Sequence, residues 1–227
     1  MKKNFIGMVA LAFAGALLVG CGATATAAKN AQNEPVHSDG DGEYTVIDWD
    51  GKDLGISAKD LPDWVLLARN QKYSEISSLN KKVPFYDSNF YGEDLEATLN
   101  DIDTQAASQF AQRAIQVVVV EAEQSVSGNR EVAESIKRFS ERNSGFASEA
   151  SFNGLERLGT YWTRERYSNG RLRYHVYALY GMGIERYEAN ISQWIDDHTK
   201  DGDSEAVASI KKSIKAAAKK QGFASAE

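Results

Sequence analysis

The stretch that most constrains the fold is TYWTRERYSNGRLRYHVYALY, residues 160–180. Two runs rich in β-branched and aromatic residues flank Asn169-Gly170, and such runs favour strands. Asn-Gly suits a type I′ hairpin turn, whose two central residues both need positive φ. A two-residue turn there predicts Tyr167 opposite Leu172, Glu165 opposite Tyr174, Thr163 opposite Val176 and Tyr161 opposite Ala178. The other face would carry Trp162 with Tyr177 and Thr160 with Leu179. It would also carry a cluster of Arg164, Arg166, Arg173 and His175 towards the tip. A long hairpin is stable only when one face is covered, so the rest of the chain must supply the cover.

Helices are the expected cover. Residues 93–125 contain neither Pro nor Gly. Leu95, Leu99, Ile102, Ala106, Phe110, Ala114, Val117 and Val118 recur at three- and four-residue steps, the stripe of a buried helix face. The run Val117-Val118-Val119-Val120 has β propensity of its own, but the helical frame on both sides keeps it helical. Residues 129–143 form a second amphipathic pattern with Val132, Ile136 and Phe139 on one face. Residues 184–198 form a third, with Ile184, Tyr187, Ile191, Trp194 and Ile195. Residues 204–221 form a last helix, basic towards its end, where cations suit the helix dipole. Earlier, residues 44–49 read as a short strand ended by Asp50-Gly51. Pro62 fits the first position of a helix. Residues 82–90 are extended and aromatic, and Pro84 confines them to an edge or a loop. The predicted fold class is α+β: a small antiparallel sheet with a long β-hairpin packed against several α-helices.

The amino-terminal end obeys a different grammar. Lys2 and Lys3 precede an apolar run over residues 6–19, shorter than the about 20 residues a membrane span needs. The run ends in Leu18-Val19-Gly20-Cys21, with the one cysteine of the chain. This resembles a bacterial lipobox. The resemblance implies that the Cys21 thiol receives a diacylglyceryl group, that the leader is cut before it, and that the new amino terminus is acylated, palmitate being a typical chain. Gly22, a residue other than Asp after the cysteine, implies the outer membrane as the destination. Residues 1–20 are therefore the expected signal peptide. Residues 21–42, rich in Ala, Thr, Asn, Gln, Asp and Gly without an apolar period, are an expected flexible tether. Residues 43–200 are the expected single α+β domain, and residues 201–227 a helical tail.

Composition narrows the function classes. Lys2 and Lys3 leave with the leader, so the mature chain has 24 basic and 32 acidic side chains, a formal charge of −8. That balance argues against a nucleic-acid partner, which selects a basic excess. With Cys21 acylated, no disulfide framework is available. His37, His175 and His198 show no metal-ligand spacing, so no metal and no cofactor are expected. Gly181-Met182-Gly183 lacks the remainder of a dinucleotide fingerprint and its βαβ setting. No nucleophile sits beside a positioned base, so no catalytic residues and no enzyme activity are expected.

The lipobox cysteine, the polar tether, the segment PDWV at residues 62–65, the Ala-rich helix and the late hairpin together resemble the LPP-twenty-type bacterial outer-membrane lipoproteins. That group is similar to flagellar outer-membrane lipoproteins and to lipoproteins of anaerobic bacteria. The similarity covers roughly residues 61–189. The chain departs from the family's Ala- and Arg-dense helix in carrying TQAASQF and the Val run there, and it has a longer carboxy-terminal helical segment. The resemblance implies a lipid-anchored cell-envelope protein with a non-catalytic binding or assembly role, attached to the membrane through its lipid. Its expected partner is an envelope protein or a second copy of itself. The alternative is a periplasmic lipoprotein that binds a small molecule or a glycan. Arg164, Arg166, Arg173 and His175 are the candidate contact residues for either.

Overall fold

A computed structural model describes residues 35–57 and 60–223. The leader and Cys21 lie outside the described residues. The fold is α+β, as expected. Five strands, β1 (Val36–Asp39), β2 (Gly42–Trp49), β3 (Lys82–Gly92), β4 (Glu156–Tyr167) and β5 (Leu172–Gly183), lie in the order β1-β2-β4-β5-β3. Among the described residues five α-helices accompany them: α1 (Asp63–Arg69), α2 (Leu95–Ser125), α3 (Arg130–Glu149), α4 (Ile184–Asp197) and α5 (Ser204–Lys220).

The described residues form two compact units. The smaller holds those up to Ile47 together with Glu165–Arg171; the larger holds Asp48–Arg164 and those from Leu172 onward. In the smaller unit β1 pairs antiparallel with β2, Val36 against Thr45 and Asp39 against Gly42. The His37 ring stacks on Tyr44 at 5.4 Å, and Tyr44 lies 5.4 Å from Tyr167. The Tyr167 hydroxyl donates to Asp39 Oδ2 at 2.7 Å, and Ser168 N donates to Glu43 O at 2.9 Å. Residues 36–39, which the sequence reading places in the tether, are thus a strand. Their composition hides it because the pairing partner and the aromatic cover come from later in the chain.

In the larger unit the packing follows the sequence periods. Asp94 starts α2 by accepting from Ala97 N at 2.7 Å, which satisfies one orphan N–H of the first turn. The Val run stays helical: elongation is favoured once the turns on both sides exist, and Val118 and Val119 are buried on the stripe. Phe110 is fully buried at the centre, with Phe85, Tyr187 and Phe152 rings 5.8, 6.0 and 6.2 Å away. Asn129 caps α3 by accepting from Val132 N, and the helix runs through Gly145 to Glu149, beyond the expected stop near residue 143. Pro62 is the residue before α1 rather than its first residue.

The final helix is no tail. Ala206, Ile210, Ile214, Ala217 and Ala218 of α5 are buried in the same core as Phe110. Beyond α5, Gly222 has φ +96° and lies so close to the Tyr73 ring that a Cβ would run into it. One face of the sheet packs on the long helices: Val176, Ala178, Tyr180 and Met182 of β5 join the core shared with α2, α4 and α5. On the other face Leu179 packs with Ala68 of α1 and with Tyr73, Ile76 and Leu79. β3 is an edge strand, as Pro84 requires, and a bulge between Asp87 and Phe90 interrupts its pairing with β5.

Candidate functional site

The hairpin turn decides which side chains share a surface. Gly170 N donates to Tyr167 O, and Tyr167 N donates to Arg171 O, both at 2.9 Å. Gly170 has φ +85°, whereas Asn169 is not among the residues with positive φ. This is a three-residue loop, a type I turn closed by a glycine bulge, and not the type I′ turn expected from Asn-Gly. Asn169 contributes through its side chain, whose Oδ1 accepts from Arg171 N at 2.9 Å.

The extra loop residue slips the register by one. Counting back from Tyr167 and Arg171 sets Arg164 opposite Tyr174 and Tyr161 opposite Tyr177. The contacts agree: the Arg164 guanidinium lies over the Tyr174 ring at 5.4 Å, and the Tyr161 and Tyr177 rings are 5.9 Å apart. A slip of one residue moves every side chain of one strand to the opposite face relative to its neighbour strand. Arg173 and His175 are therefore on the other face from Arg164. The expected four-residue basic surface does not exist as such. Arg173 is 6% exposed and His175 9% exposed. Arg164 is half-buried on the face of Trp162, and Arg166 is exposed.

The face of Leu179 carries a file of stacked rings, with Tyr91 41% exposed. The Arg173 guanidinium lies 4.0 Å from the Tyr91 ring centre. Tyr91 stacks on His175 at 4.4 Å, and His175 stacks on Tyr177 at 4.2 Å. His175 Nε2 lies 2.5 Å from Ser88 O, a carbonyl within the β3 bulge. This tie makes His175 a structural residue that satisfies irregular backbone. Farther along the same face, the Tyr161 and Thr163 hydroxyls are buried without a hydrogen-bond partner among the described residues. Burial, with Asp50 and Asp60 adding to it, pushes the Tyr161 phenol up. The alternation of His175 and Tyr177 along one strand is visible in the sequence; Tyr161 joins their face only through the shifted register, and Tyr91 through its pairing with His175.

The other face is the one whose Val176, Ala178, Tyr180 and Met182 meet the helices, and Trp162 packs against that core. Trp162 meets Tyr174 edge-on at 5.7 Å, and Arg164 covers the other part of that Tyr ring. All three are half-buried, and Leu172, farther along the same face, is 37% exposed. The Arg164 Nε is buried without a hydrogen-bond partner among the described residues. A cleft of about 300 Å³ lies between the end of β3 and the start of α2, lined by Tyr91, Asp94, Thr98 and Asp101 among others. Asp94 is engaged as the α2 cap, and the Thr98 hydroxyl donates to Asp94 O at 2.6 Å.

Among the described residues no group of three His, Cys, Asp or Glu side chains is placed to hold a metal, and no helix is long and apolar enough to cross a membrane. No protein-family model, curated protein or solved structure matches the chain.

Proposed function

We propose that the protein is a lipid-anchored bacterial cell-envelope protein, held at the outer membrane through Cys21, whose folded part has a non-catalytic binding or assembly role. The observation that carries this reading is the amino-terminal pattern: Lys2 and Lys3, a short apolar run, and Leu18-Val19-Gly20-Cys21 at its end. Once the leader is removed, acyl chains on Cys21 contribute roughly 0.8 kcal/mol per buried CH₂, and more than one chain holds stably. Fourteen residues separate Cys21 from the first strand at Val36. They span about 50 Å at full extension, enough to let the folded part meet partners beyond the headgroups.

A binding role is supported by the half-buried Trp162, Arg164 and Tyr174, the residue types enriched at interface hot spots. Binding of a small molecule or glycan would draw instead on the cleft beside Asp94. Its volume is at the lower end for such sites, and its cap residues are already engaged with one another. The test is cross-linking in intact cells, comparing the wild-type chain with Cys21→Ser. Envelope-protein adducts that depend on Cys21 are expected. The same adducts in the unanchored variant would contradict the need for the anchor, and a chain without adducts would contradict the assembly role.

A further inference from the structure

We propose that Asn153 is a site of spontaneous modification, where attack by Gly154 N converts the side-chain amide through a succinimide to aspartate and isoaspartate, and that Arg186 assists the ring closure. The chain has two Asn-Gly pairs, Asn153-Gly154 and Asn169-Gly170. A glycine after Asn leaves the attacking nitrogen unhindered, because it carries no Cβ. Both asparagines are exposed, so access to water does not separate them. Hydrogen bonding does. At the hairpin tip the attacking nitrogen is engaged, with Gly170 N donating to Tyr167 O at 2.9 Å. The amide it would attack is held as well, Asn169 Oδ1 accepting from Arg171 N at 2.9 Å. Closure there must break both bonds. In the turn between α3 and β4 neither group is engaged: among the described residues no hydrogen bond reaches the Asn153 side chain or leaves Gly154 N. Asn153 is tied only through its backbone carbonyl, which accepts from Asn190 Nδ2 at 3.0 Å.

Arg186 adds a cation. Gly154 has φ +86°, and a Cβ built on it would lie 3.1 Å from Arg186 Cγ and 3.2 Å from Arg186 Nε, so this side chain lies against the residue whose nitrogen attacks. A positive charge there favours loss of the Gly154 amide proton and stabilises the oxyanion of the tetrahedral intermediate. The steps balance with water alone. Gly154 N gives its proton to water or hydroxide and bonds to Asn153 Cγ. The intermediate collapses, the Cγ–Nδ2 bond breaks, and that nitrogen leaves as ammonia. Water then opens the ring at either carbonyl, giving aspartate or isoaspartate. Both products set a carboxylate near Arg186. The isoaspartyl form also moves the carbonyl that Asn190 holds out of the main chain.

The test is incubation of the folded full chain in detergent at mildly alkaline pH, with mass spectrometry of tryptic peptides following each Asn-Gly pair. Asn153 should convert roughly tenfold or more faster than Asn169, the effect of the two hydrogen bonds that closure breaks at the hairpin tip. In urea the two rates should converge. Arg186→Gln should slow Asn153 about threefold, a modest effect because the cation is exposed, and leave Asn169 unchanged. Equal rates at the two pairs in the folded chain overturn the proposal. A gap that persists undiminished in urea also overturns it, because flanking residues rather than the fold would then set the rates. An Asn153 rate untouched by Arg186→Gln overturns the assistance by Arg186.

Discussion

Gly170 needs positive φ in either turn geometry, so the contrast between its replacement and that of Asn169 separates the two. The Gly170 φ of +85° lies in the left-handed region, and a Cβ there would meet no heavy atom within 4 Å. The cost of Gly170→Ala is therefore conformational alone, about 1–2 kcal/mol for an L-residue held in that region. For a chain of this size that is a melting-temperature loss of roughly 2–8 °C by calorimetry. Asn169→Ala removes one exposed hydrogen bond to Arg171 N and should cost less, about 0.5–1 kcal/mol. A type I′ turn would instead charge both positions for positive φ. Register can be read directly by disulfide trapping, because Cys21 is the one native cysteine and a chain with Cys21→Ser supplies a clean background. Arg164→Cys with Tyr174→Cys should oxidise readily, since directly opposed residues lie within disulfide reach. Arg164→Cys with His175→Cys should not. Ready cross-linking of the second pair, with Asn169→Ala as costly as Gly170→Ala, would refute the bulged turn and restore a common face for Arg164, Arg173 and His175.

Two further outcomes test the packing. Phe110→Ala removes a fully buried ring from among Phe85, Phe152 and Tyr187 and should cost about 3–5 kcal/mol in urea unfolding; a loss under 1 kcal/mol would contradict its central place. Asp203 accepts two hydrogen bonds from Arg142, at 2.5 and 3.3 Å, and one from Lys200 N at 2.8 Å. Partial burial works to raise the Asp203 pKa, but Arg142 and Lys200 outweigh it and hold the carboxyl below the ordinary range. A depressed carboxyl stabilises the fold above its unfolded pKa and loses that contribution as pH falls through the folded value. Asp203→Asn should therefore cost about 1 kcal/mol near neutral pH, a magnitude limited by solvent screening. The gap to wild type should close below about pH 4, and a gap constant from pH 7 to pH 3 would refute the linkage.

The sequence made the helices and the hairpin visible because their signals are local. The 93–125 stripe repeats often enough to overrule the β propensity of Val117–Val120, and Pro84 marks an edge strand by the donor it lacks. What escaped depended on contacts distant in sequence or on one residue of turn geometry. β1 is recognisable only beside β2 and under Tyr44. The buried place of α5 depends on the face of α2 it meets, not on its own Lys-rich surface. Asn-Gly announces a tight turn, but the choice between a two- and a three-residue loop rests on the φ of Asn169. That one choice moved Arg173 and His175 out of the expected basic cluster and into a file with Tyr91 and Tyr177. It left Arg164 with Trp162 and Tyr174, a grouping that no pairing from the two-residue turn contains.

The central claim is the covalent anchor, and the mature amino terminus tests it most directly. Mass spectrometry of the protein isolated from envelope fractions should find an amino-terminal peptide that begins at Cys21 and carries diacylglyceryl and acyl groups. Cys21→Ser should accumulate as the uncut precursor, with Lys2 and Lys3 retained. A mature protein that begins elsewhere with an unmodified Cys21, or normal cleavage and membrane attachment in Cys21→Ser, would contradict the account.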